Sequence, residues 1–172
     1  MNIQNLCFNS LAVTITAMVS INPVSAQSSK TSFFCETQEG IPTTIAQTEN
    51  GNMQPIFYWK SEALPTESDP QQLCDEVSQQ LDNYLFSDSE LSSLGFKSAK
   101  LDKLPVICAT EQNNECNLVL FTLPPAEQPV DVAGFVLASI LEPKLQSERI
   151  VSSDRGVQSI YYKVNLWKLL GF

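Results

Sequence analysis

Four cysteines, Cys35, Cys74, Cys108 and Cys116, constrain this chain more tightly than any other feature of its sequence. They remain once Cys7, inside an uncharged N-terminal leader, is set aside. An even set in a chain addressed to an oxidising compartment reads as two disulfides. Four cysteines allow three pairings, and their spacing alone does not choose among them. The local pattern favours Cys108 with Cys116. Val106 and Ile107 ahead of Cys108, and the apolar run Leu118 to Leu123 after Cys116, read as two strands joined by the polar loop 110–115, so their ends should meet. Cys35 with Cys74 follows by elimination and would tie the first strand to the main helix. On a chain-entropy estimate the short loop contributes about 2.6 kcal/mol and the long one about 3.9 kcal/mol. A metal site is the competing reading, disfavoured because the sequence has no C-x-x-C spacing and no histidine.

The first 26 of the 172 residues carry no charged side chain. Residues 6–21 are mostly apolar, and Pro23-Val24-Ser25-Ala26 precedes the polar Gln27-Ser28-Ser29-Lys30. Val24 and Ala26 suit the spacing of a signal-peptidase site, so we read residues 1–26 as a signal peptide cleaved after Ala26. The alternative, a membrane anchor, is weakened by Asn9, Ser10 and later hydroxyl residues, which break the run of roughly 18 apolar residues that a span needs. Cys7 has no preceding apolar run and is not read as a lipoprotein site.

All 10 Lys and Arg and all 19 Asp and Glu fall after the leader, giving 27–172 a net charge of −9 at a length suited to one domain. A hydrophobic content of 43% argues against disorder despite that charge. The absence of histidine removes Ser-His-Asp and Cys-His nucleophile pairs and imidazole bases. None of the six Gly falls in a phosphate-cradling pattern, and no cofactor signature is visible. The acidic balance repels nucleic acid and anionic lipid headgroups.

Phe33 to Cys35 and Thr43 to Thr48 read as strands separated by a turn at Glu39-Gly40. Asn50-Gly51 predicts a type I′ hairpin turn leading into a strand from Pro55 to Trp59, followed by a surface loop at 61–69. Asp69 as cap and Pro70 as first helical residue open a helix whose apolar stripe is Leu73, Val77, Leu81, Tyr84 and Leu85. A short helical segment at 89–94 and a break at Gly95 precede a hairpin of 100–110 with 117–123, in which Pro105 predicts an edge position or a start near Val106. Val132, Phe135, Val136, Ile140 and Leu141 form a second helical stripe ending before Pro143. Alternation of Ile160, Tyr162, Val164 and Leu166 with Tyr161, Lys163, Asn165 and Trp167 reads as a closing strand. The fold class predicted is α+β: a mainly antiparallel sheet with two helices packed on one face, braced by two disulfides.

Three segments then carry a resemblance. They are Phe33-Phe34-Cys35 leading to Gly40-Ile41-Pro42-Thr43-Thr44-Ile45-Ala46-Gln47-Thr48; Asp69-Pro70-Gln71-Gln72-Leu73-Cys74-Asp75-Glu76-Val77-Ser78; and Pro105-Val106-Ile107-Cys108, followed by Cys116 and Leu118-Val119-Leu120-Phe121-Thr122-Leu123. Together, over 33–125, they resemble the cyanobacterial circadian oscillating protein family. The resemblance implies an exported or membrane-peripheral protein of a photosynthetic bacterium, placed in the periplasm or on the extracytoplasmic side of a membrane such as the thylakoid. It implies no assigned biochemical activity and brings no catalytic residues. The chain departs from the family pattern at Leu73, where an Arg often precedes the cysteine, and at 111–115, which replaces a Gly-rich loop.

Paired carboxylates are the one common catalytic chemistry left open, with Asp69, Asp75, Glu76 and Asp82 as the densest candidates, although their spacing suits a solvated helix face. Asp88 to Glu90 and Glu111 to Glu115 offer oxygen ligands but lack a twelve-residue calcium loop. Lys163 and Lys168 beside Tyr161, Tyr162, Trp167 and Phe172 suit either a membrane interface or a last core strand, and the alternation favours the core. The function expected is therefore a non-enzymatic contact module with an unknown protein partner or a membrane surface. A small carboxylate hydrolase and a secreted inhibitor presenting loop 110–115 are the alternatives.

Overall fold

The computed structural model describes residues 31–85, 94–111, 115–154 and 157–164. Eight strands and two helices follow in the order β1 (Ser32–Gln38), β2 (Ile41–Gln47), β3 (Met53–Tyr58), α1 (Pro70–Leu85), β4 (Gly95–Leu101), β5 (Leu104–Thr110), β6 (Leu118–Thr122), α2 (Pro129–Ile140), β7 (Arg149–Asp154) and β8 (Val157–Lys163). The class is α+β and the pairing antiparallel throughout, as the sequence predicts. The strands divide between two sheets, one ordered β1-β2-β3 and the other β6-β5-β4-β8-β7. Each sheet takes its own helix: α1 packs on β1 and β2 and reaches β6, while α2 lies over β4, β5 and β8.

One buried cluster draws on both sheets. Phe57 of β3 meets Phe96 of β4 at a centroid distance of 4.7 Å, and Trp59, just past β3, meets Phe121 of β6 edge-on at 5.5 Å. Tilted and edge-on contacts satisfy the ring quadrupoles while excluding water. The chain also bridges the sheets through its backbone, since Leu141 pairs with Phe57 and Glu142 N–H donates to Ile56 O at 2.9 Å. Beneath α1 a small polar set is satisfied internally: the Thr44 hydroxyl accepts from Trp59 Nε1 at 2.9 Å and from the Ser78 hydroxyl at 3.0 Å.

The turns depart from expectation in an instructive way. At Asn50-Gly51 only Gly51 has positive φ, and its N–H donates to Thr48 O at 2.9 Å. This is a turn closed by a left-handed glycine, in place of the I′ turn that needs both central residues left-handed. Two positive φ values occur instead at Glu39-Gly40 and at Asp102-Lys103. The second of these splits the predicted strand 100–110 into β4 and β5. Pro105 therefore stands near the start of an interior strand, where it faces Lys100 in the β4 ladder. The predicted break at Gly95 is the first residue of β4, and a Cβ there would lie 2.4 Å from the Tyr161 ring. The glycine is needed for space, because that ring lies across the strand. The predicted helix at 89–94 falls, except for Leu94, outside the described residues.

The second helix buries a different face from the predicted stripe. Val136, Ile140 and Leu141 are buried as expected, but Val132 is 38% and Phe135 72% exposed. The sheet side is built from Val130, Ala133, Gly134 and Leu137 instead. At Gly134 a Cβ would approach Ile160 Cδ1 to 2.8 Å, so a larger residue there requires the Ile160 side chain to move. The predicted closing strand is β8, which lies between β4 and β7 and buries both Tyr161 and Tyr162. Residues 165–172 lie outside the described part.

Candidate functional site

The four cysteines fall into two bridges, Cys35–Cys74 and Cys108–Cys116, with Cα separations of 5.5 and 5.3 Å. Both are comfortable spans for the bond. The first ties β1 to α1, as the residue pattern suggests. The second closes the β5–β6 connection at its base, where Asn117 N–H also donates to Ala109 O at 3.1 Å. Loop 110–115 is anchored at that base: Glu111 N–H donates to Asn117 Oδ1 at 3.3 Å, and Glu111 Oε1 accepts the Tyr84 hydroxyl of α1 at 2.6 Å. Residues 112–114 lie outside the described part, as do Asp88 to Glu90 and the predicted cleavage position at Ala26.

The candidate carboxylates have structural partners. Asp69 caps α1, its Oδ1 accepting from Gln71 N–H at 2.9 Å and Gln72 N–H at 3.2 Å, which is the role its place before Pro70 predicts. Asp75 accepts from Gln71 Nε2 at 3.2 Å and Glu76 from Gln72 Nε2 at 2.7 Å, both across one helical turn. Asp82 is half-buried instead of fully solvated. Its Oδ1 accepts the Phe33 N–H at 3.0 Å and so holds the outer side of β1.

An open cleft of about 390 Å³ lies where the β1–β2 turn, the segment after β3 and the start of α1 converge, lined in part by Pro42, Trp59, Lys60, Glu62, Asp69 and Gln71. Of the four acids singled out in the sequence it contains only Asp69. The others do not converge on it. Glu62 shares the cleft, and nothing in its sequence surroundings distinguishes it from any polar loop residue.

Glu142 is the acid that sequence reasoning misses. It is 8% exposed, accepts Lys144 N–H at 3.4 Å, and receives a hydrogen bond from the Tyr58 hydroxyl. Burial, that hydrogen bond and the negative charges of Glu142 and Glu39 push the Tyr58 phenol up from 10.0 to about 12. The available signal was local: an acid directly before Pro143 is a cap in waiting.

Exposed apolar side chains occur on both sheets, Met53 on β3 and Leu101 on β4 among them. Besides Val132 and Phe135 on α2, Ile150 is 47% and Val151 52% exposed on β7. No helix among the described residues is long and apolar enough to cross a membrane.

These features define a disulfide-braced α+β domain in which two antiparallel sheets, each carrying a helix, share one core. A family model for the circadian oscillating protein COP23 matches residues 32–170, and the chain belongs to that family. The match runs through the C-terminal region and so extends past the 33–125 stretch that carries the resemblance in the sequence. No curated protein and no solved structure matches the chain.

Proposed function

We propose that the chain is an exported, non-enzymatic module that acts by contact with a protein or a membrane surface outside the cytoplasm, in the periplasm or at the thylakoid. The observation that carries this reading is the placement of apolar surface: Phe135 stands 72% exposed on α2 beside Val132. An exposed aromatic ring beside a second apolar residue one helical turn away offers a partner an apolar contact point. The two disulfides support an oxidising destination, where such crosslinks persist. The candidate acids support a structural role through the capping and strand-holding bonds described above. A carboxylate hydrolase would have to use Glu62 with Asp69 in the cleft, and Asp69 Oδ1 is already engaged by two helix N–H groups. An inhibitor would use 110–115, whose base is fastened to α1 through Tyr84 and Glu111.

The test is retention of the full-length chain on fractionated envelope and thylakoid membranes, followed by a salt wash and affinity capture. The reading predicts recovery in a membrane or lumenal fraction, with capture weakened by V132S/F135S. Recovery in soluble cytoplasm alone, with four free thiols, would contradict it.

A further inference from the structure

The polar set beneath α1 fixes the direction of one more proton. A hydroxyl has two lone pairs and a single hydrogen to give. Both lone pairs of Thr44 are taken, by Trp59 Nε1 at 2.9 Å and by the Ser78 hydroxyl at 3.0 Å. The hydrogen is left for Cys74 Sγ at 3.9 Å, and the bridged sulfur, which carries no hydrogen of its own, is the acceptor. Thr44, Trp59, Ser78 and Cys74 are all buried, so water does not compete for these bonds.

A bridged sulfur is a weak acceptor and a thiolate a strong one. The Thr44 hydroxyl therefore stabilises Cys74 more as a departing thiolate than as half of a bridge, and a better leaving thiolate departs faster. The other sulfur is the accessible one. Cys35 is half-buried beside the open cleft, and Gln71, which lines that cleft, donates from Nε2 to Cys35 Sγ at 3.4 Å. Opening the bridge does not require unfolding, because β1 stays laddered to β2 from Ser32 to Gln38 and Asp82 keeps its bond to the Phe33 N–H.

We propose that Cys35–Cys74 is an exchangeable bridge, opened by an uncharged dithiol that attacks from the cleft side. One thiolate of the dithiol bonds to Cys35 Sγ, the Cys35–Cys74 bond breaks, and its electron pair leaves on Cys74 as a thiolate beside the Thr44 hydroxyl. The second thiol of the reagent loses its proton to solvent, attacks the reagent sulfur of the mixed disulfide and expels Cys35 as a thiolate beside Gln71 Nε2. Both cysteine thiolates then take a proton from solvent. The dithiol ends oxidised to a disulfide and the bridge reduced to two thiols. An uncharged reagent is favoured over an anionic one because Glu62, Asp69 and, through Gln71, Asp75 stand at this mouth against Lys60. The exchange goes beyond the contact reading and does not depend on it.

The experiment treats the full-length oxidised chain with dithiothreitol at fixed pH, following each bridge by timed alkylation and peptide mapping and the fold by circular dichroism. The wild type is expected to open Cys35–Cys74 with its spectrum unchanged, and the monothiol 2-mercaptoethanol to be trapped on Cys35. T44V keeps the shape of the side chain without its hydroxyl and slows the opening about tenfold or more, whereas T44S keeps the hydroxyl and stays within about threefold of wild type. S78A leaves Thr44 in place, removes one of the donors that polarise it, and slows the opening about two- to fivefold, so it decides the matter should T44V fail to fold. Opening that only accompanies loss of the folded spectrum, a monothiol trapped on Cys74, or a rate in folded T44V or in S78A equal to or above that of wild type would each overturn the proposal.

Discussion

Tyr58 and Glu142 lie far apart in the sequence and meet where β3 adjoins the end of α2, so their hydrogen bond reports on the seam between the two sheets. The Tyr58 phenol is held up to about 12, first by burial and then by Glu142 and Glu39. A raised folded-state pKa contributes stability that is complete below the ordinary value of 10.0 and is lost as pH rises through about 12. Resistance to denaturant should therefore decline between those two values. E142Q should move the Tyr58 titration, followed by ultraviolet difference spectroscopy against Y58F, down towards 10.0 without reaching it, because burial remains. A titration unchanged by E142Q would refute the contact. Other single residues were unreadable for a related reason: their roles depend on a distant partner. Ser98 reads as a polar interruption, yet it is fully buried, and its Oγ accepts the Ile160 N–H at 3.0 Å. Gly95 reads as a break because nothing in one dimension shows the Tyr161 ring across it.

At the scale of elements, local rules succeed where an element is specified by its own residues. The start of α1 is legible because Asp69 and Pro70 both act within one turn, and the β5–β6 hairpin because apolar runs flank a polar loop. The buried face of α2 is illegible from hydrophobicity alone. The inside takes the small Ala133 and Gly134, the latter against the Ile160 side chain, and the bulky Phe135 is left outside. The assignment has a direct consequence for stability. L137A should cost about 2–5 kcal/mol in oxidised denaturation experiments, as truncation of a buried leucine does, whereas F135A should stay within about 0.5 kcal/mol of wild type. The reverse order would restore the predicted stripe and remove the surface on which the contact reading stands. The hairpin at Asp102-Lys103 escaped notice because neither residue is the glycine or asparagine that normally marks a left-handed turn.

The whole molecule is held by connections that join parts distant in sequence. The aromatic contacts among Phe57, Phe96, Trp59 and Phe121 fuse the two sheets, and each disulfide fixes a border of the assembly: β1 to α1, and β5 to the approach to β6. The pairing was legible by elimination once one hairpin was recognised. The division into two sheets was not, because every pairing in either is antiparallel and the alternation of residues carries no label for which sheet a strand joins. The proposed function requires a crosslinked body made in an oxidising space and used for contact. Non-reducing peptide mapping of the chain recovered from its own cells tests this most directly. The account predicts a mature N-terminus at Gln27, with Cys35 linked to Cys74 and Cys108 linked to Cys116; an intact leader with four free thiols would contradict it.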